Sequence, residues 1–169
     1  MISYVALLRA VNVGSTGKLP MSELKAMCEG IDLEQVRTYI ASGNVLFNSR
    51  LGEKSISKKL QQRLTDYAGK PVGVMVCTAD EMAGVLADNP FHDEPGNRVI
   101  TIFLDSAPAA AALKQVTGTK DERFALGRRE FYVHYGDGMA DSQLQIAAAD
   151  QSNARNMNTV ANLASMAAE

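Results

Sequence analysis

Cysteine is scarce in this sequence. Cys28 and Cys77 belong to no CxxC pair and have no histidine near them, which argues against a zinc centre. Both fall on apolar faces and are expected to be buried, reduced and unligated. Aromatic residues make up only 6% of the chain, and the aromatic pattern with which RNA-binding sheets stack bases is missing. Positive charge is not in excess. The formal net charge is −2, whereas a binder of duplex nucleic acid is basic overall or on one face, so nucleic acid is disfavoured as a partner. Long apolar runs are missing too. The first, Ile2 to Leu8, ends at Arg9, lacks a basic leader, and is too short for a signal peptide or a membrane span. The expected location is the cytoplasm, with no membrane partner.

What is present is ordinary folded sequence: 46% hydrophobic and 21% charged over 169 residues, enough for one domain or two small fused ones. Ile2 to Leu8 reads as a central strand buried on both faces. Pro20 suits the first turn of a helix, and Leu24, Met27, Cys28 and Ile31 follow helical spacing up to Gly30. Val36, Thr38 and Ile40 alternate with Arg37, Tyr39 and Ala41 as a strand. Ser42, Gly43 and Asn44 have turn chemistry, and Val45 to Phe47 returns as the hairpin partner. Ile56, Leu60, Leu64 and Tyr67 mark a second helix, stopped by Gly69 and Pro71, before a strand over 72–77. The order βαββαβ is that of a ferredoxin-like unit.

Thr78 and Glu81 have capping-box spacing at the start of a third helix, which ends before Pro90. A loop over 91–97, a strand over 99–104 and an alanine-rich helix from Pro108 to about Val116 follow. Residues 122–126 and 130–135 read as a hairpin around Gly127, and helical stretches are expected near 139–148 and 155–167. The expected fold is therefore α+β, two fused ferredoxin-like subdomains with antiparallel sheets. Residues 1–77 form the first, and residues 78–169 the second, with helices where its last strand would stand. No low-complexity linker separates the halves, so one rigid body is expected.

Four blocks resemble a known family. The segments 4–14 (YVALLRAVNVG) and 38–45 (TYIASGNV) are similar to the first two signatures of the bacterial domain of unknown function 1697 family, and 132–139 (YVHYGDGM) and 154–160 (ARNMNTV) to its C-terminal blocks. The chain departs from the family pattern at Gly136, Gln143 and Met157, where proline, lysine and tryptophan are common. The resemblance implies two fused α+β subdomains of ferredoxin-like character and no established activity.

The loop Asn12 to Lys18 follows a strand and precedes a helix, a context in which backbone N–H groups cradle phosphate. Asn12 occupies the first glycine position of a P-loop and Leu19 the magnesium-binding hydroxyl position, so nucleoside triphosphate hydrolysis is not expected. A generic anion site and a plain connection both stay open. Arg9 ends an apolar strand and must reach solvent, a carboxylate or a ligand. Asn12, Ser42, Asn44, Arg155 and Asn156 are polar groups that a ligand site would gather with it, arginine gripping a carboxylate or phosphate through two parallel bonds. The plainer alternatives are Asn44 as a left-handed turn residue and Arg155 in an ion pair.

His134 lies on the opposite side of its strand from Phe131, Val133 and Tyr135. It is a weak candidate for a catalytic base, since no pattern supplies its partner; Asp137 and Ser142 are near in sequence but match no known spacing. His92, Asp93 and Glu94 are potential ligands, but adjacent residues rarely face one ion. No metal and no cofactor is expected. The reading favoured by these residues is a protein that binds a small anionic ligand. The alternative is a nucleic-acid or protein interaction module using the basic helix face 54–63, with Lys54, Lys58, Lys59 and Arg63. No residue pattern specifies a reaction or an oligomeric state.

Overall fold

The structure, a computed structural model, describes residues 1–9, 19–39, 43–104, 116–117, 122–135, 145–146 and 153–169. Two compact units divide the chain, residues 1–82 with 163–169, and residues 83–162.

In the first unit β1 (Ile2–Leu8), α1 (Met21–Glu29), β2 (Glu34–Tyr39), β3 (Asn44–Ser49), α2 (Glu53–Ala68) and β4 (Val74–Thr78) follow in order. The strands form one antiparallel sheet in the order β2-β3-β1-β4, the ferredoxin-like arrangement. Tyr4, Ala6 and Leu8 of β1 project to one face, where they pack with Leu24, Met27 and Cys28 of α1 and with Ile56, Leu60 and Leu64 of α2. Val5 and Leu7 are buried on the other face, which is why β1 reads as one apolar run. Tyr67 has the same helical phase as Ile56 but is 48% exposed, because the last turn of α2 carries it past the packed stripe before Gly69 (φ 73°) closes the helix. Among the described residues of the β2–β3 turn, Gly43 (φ 88°) and not Asn44 is left-handed.

α3 (Ala79–Ala87) starts at the capping box read from the sequence. The Thr78 N–H donates to Glu81 Oε1 at 3.0 Å, and the Glu81 N–H to Thr78 Oγ1 at 3.1 Å. In the second unit β5 (Val99–Phe103), β7 (Arg123–Leu126), β8 (Glu130–His134) and β10 (Asn153–Asn156) form an antiparallel sheet in the order β10-β5-β8-β7. That repeats the first sheet: the first strand lies between the third and the fourth. β6 (Val116–Thr117) and β9 (Gln145–Ile146) pair separately, before and after β7 and β8. α4 (Met157–Ala167) closes the chain.

The C-terminal helix predicted from Arg155 begins two residues later, and the last strand of the second sheet, expected to be replaced by helices, is present as β10. Its four residues are too few to display a period of two, and pairing with β5 is what makes them a strand. Likewise Gln145–Ile146 is a strand where helix was expected, and β6 starts at Val116, where the alanine-rich helix was expected to end; the rest of those two stretches lies outside the described residues.

Cys28 and Cys77 are buried free thiols. Burial, aided by the Glu29 carboxylate, pushes the Cys28 thiol from 9.0 up to about 12. Above pH 9 the unfolded chain releases this proton and the folded chain keeps it, so stability is full below pH 9 and falls towards pH 12. Burial also raises Tyr132 and Tyr135, adding to the fall above pH 10. Burial lowers Arg155, which works in the opposite direction only at still higher pH. Urea unfolding is expected to show a loss of up to about 2 kcal/mol between pH 9 and 10.5. Cys28→Ala should start less stable but lose less over that interval, and an equal loss in both proteins would contradict the assignment.

Candidate functional site

The clearest cluster of polar side chains lies in the second unit. Strand alternation sends Phe131 and Val133 of β8 to an apolar face with Ile102, Ile100, Phe124 and Leu126. His134 therefore points to the opposite face. There it is flanked in register by Arg123 of β7 and Val99 of β5. The segment after α3 supplies the remaining groups. Asn89 Oδ1 accepts the Phe91 N–H at 2.9 Å, and the Glu94 N–H donates to Phe91 O at 3.0 Å, forming a turn. The far side of that segment is tied to the sheet, since the Tyr135 N–H donates to Arg98 O at 3.0 Å.

Four side chains then meet. Glu94 Oε1 is 2.9 Å from Arg123 Nη2, and Glu94 Oε2 is 3.3 Å from His134 Nε2. Arg123 Nη2 is also 3.4 Å from His134 Nδ1. The Arg123 guanidinium lies over the Phe91 ring, 5.2 Å from its centroid, and the Phe91 and His134 rings are 5.8 Å apart. Because a guanidinium only donates, Nδ1 is assigned as the acceptor and Nε2 as the N–H facing Glu94. Both ring nitrogens are thus engaged, and neither is placed to take a proton from a substrate. The site opens on the arginine side: the side chain of Arg123 is 56% exposed, that of Glu94 37% and that of His134 11%.

The other residues singled out from the sequence are placed as follows. Arg9 is half-buried just past β1; its N–H donates to Gly73 O at 2.9 Å, and its stem crosses Gly73, where a Cβ would lie 3.5 Å from Arg9 Cβ. Asn44 shares that unit but is fully buried, and its amide donates to Tyr39 O at 3.0 Å. In the second unit Arg155 is buried on β10 and donates to Ala154 O at 2.9 Å. Asn156 caps α4, its Oδ1 accepting the Thr159 N–H at 2.9 Å. Asn12, Ser42, Asp137 and Ser142 lie outside the described residues. His92 pairs with Asp93 at 2.9 Å in solvent while Glu94 turns to Arg123. Among the described residues no three His, Cys, Asp or Glu side chains converge on a metal position.

On α2, Lys54, Lys58 and Lys59 are exposed. The Arg63 guanidinium lies beside Gly30 at the negative end of α1, with Nη2 2.9 Å from where a Cβ would stand. Sequence reasoning had His134 but missed its partners. Arg123 was implicit in the hairpin around Gly127, which sets it opposite His134; Glu94 and Phe91 arrive by tertiary packing and leave no local signal.

The fold defines an α+β protein of two ferredoxin-like units, the second carrying a cluster of Arg123, His134 and Glu94 beside the Phe91 ring. The chain belongs to the family described as protein of unknown function (DUF1697), whose sequence profile matches residues 1–132. The structure of a conserved bacterial protein from Streptococcus pneumoniae is similar over 98% of both chains, with a TM-score of 0.80 and 19% identity, which shows a shared fold. No curated protein matches the sequence. Among the described residues no helix is long and apolar enough to cross a membrane.

Proposed function

We propose that this chain binds a small anionic ligand at Arg123 and His134. One observation carries the proposal: the two side chains each engage a different oxygen of one carboxylate, that of Glu94. Donors fixed on neighbouring strands, with an aromatic wall at Phe91, can hold a ligand carboxylate in the same way. Arg9 is proposed as a separate anion contact of the first unit, its stem held over Gly73. The buried free thiols accord with a cytoplasmic location for this activity.

A thermal-shift screen against small carboxylates, phosphorylated metabolites and nucleotides tests the proposal, because a ligand of the native state raises its apparent stability. A ligand that raises the midpoint of the wild type and fails to raise that of Arg123→Gln is the expected result. No shift with any member, or equal shifts in both proteins, would contradict it.

A second reading rests on Lys54, Lys58 and Lys59, which are exposed and have no ion-pair partner among the described residues. It makes α2 a docking face for a polyanion. Binding that weakens steeply with salt and survives Arg123→Gln would favour this face.

A further inference from the structure

The position of Glu94 carries an inference that rests on the anion-binding function proposed above. We propose that Glu94 is a built-in competitor, holding the place of a ligand carboxylate until one displaces it. Its two oxygens divide between Arg123 at 2.9 Å and His134 at 3.3 Å, the way a bound carboxylate would divide them. The backbone beneath Glu94 is fixed without help from its side chain, through the Glu94 N–H to Phe91 O and the Arg98 N–H to Pro95 O bonds. The carboxylate can therefore leave by rotating its own side-chain torsions while the segment stays in place. It is 37% exposed, so water is at hand to solvate it once displaced.

The receptor half does not depend on Glu94 for its position. Arg123 and His134 face each other across the β7–β8 ladder, and Phe91 supports both from one side. Removing Glu94 therefore leaves Arg123 and His134 opposite each other on neighbouring strands, with the Phe91 ring beside both. The ligand class that follows is a small carboxylate, since planar, two-oxygen recognition is what the pair already performs on Glu94. A phosphate, being tetrahedral, should gain less.

The test uses the full chain. Acetate, benzoate and inorganic phosphate are titrated into wild type, Glu94→Gln, Glu94→Ala and Arg123→Gln, following the His134 ring signals by NMR, with folding of each variant checked by its amide spectrum. Exposed pairs of this kind bias their equilibrium by a factor of about five at most, so both Glu94 variants are expected to bind carboxylate up to about fivefold tighter than wild type. Arg123→Gln should bind weaker. If the Glu94 variants bind carboxylate no tighter while Arg123→Gln still binds weaker, the competitor role is wrong and the anion site stands. If neither the wild type nor a Glu94 variant binds any of the three anions, both fail.

Discussion

Replacing Glu130 with alanine is expected to lower stability by about 2–3 kcal/mol, a midpoint shift in urea at unchanged slope. Glu130 is 4% exposed at the start of β8. Its two oxygens accept the backbone N–H groups of Arg128 at 3.2 Å and Arg129 at 2.9 Å, which fixes the β7–β8 turn. The Tyr132 hydroxyl lies 3.2 Å from Glu130 Oε1 and donates to Val85 O at 2.8 Å, linking the strand to α3. Truncation leaves two turn N–H groups to find water and removes one neighbour of a buried hydroxyl. Gly127 belongs to the same device, because a Cβ there would occupy the space of the Glu130 carboxylate. Gly127→Ala should therefore reproduce much of the loss. A Glu130→Ala protein within 0.5 kcal/mol of wild type would show that the turn holds without it.

Leu60→Ala is expected to cost still more, about 3–4 kcal/mol. Leu60 is completely buried, between Ile56 and Leu64 on the stripe that α2 presents to α1 and the first sheet. Removing its branched end forfeits the transfer free energy of the lost carbons and leaves a cavity that a helix packed on a sheet closes only in part. Tyr67→Ala, on the same helix and in the same phase, should change stability by less than about 0.5 kcal/mol because Tyr67 is half-exposed. Equal losses at the two positions in urea unfolding would contradict the packing described.

The first unit was legible because its signals are local and long. β1 is a continuous apolar run, α1 and α2 repeat at helical spacing, and Gly69 ends α2 as a C-cap should. The capping box at Thr78 was legible for the same reason, since both partners lie within one turn. β10 was not, because four residues alternating Asn, Ala, Arg and Asn look like a helix start until β5 is beside them. Tyr67 misled because phase predicts direction and says nothing about where the neighbouring sheet ends.

The site was legible only in part. His134 and its sidedness followed from alternation along β8, whereas Arg123, which the hairpin sets opposite it, carried no signal of its own. Glu94 reaches them from a segment about thirty to forty residues earlier in the sequence, and no spacing rule connects it to either. The polar residues chosen at strand and helix ends had local attractions of their own. Asn44 serves the β2–β3 connection and Asn156 the start of α4, roles that their amides fill through backbone partners.

As proposed, Arg123 and His134 act as one two-point receptor for an anion. A titration with acetate, followed through the ring signals of His134 and the guanidinium signals of Arg123 together, addresses it most directly. Both residues should respond along one saturating curve with a single dissociation constant, and Arg123→Gln should abolish the response of His134. Independent curves at the two residues, or a His134 response that persists unchanged without Arg123, would contradict the claim.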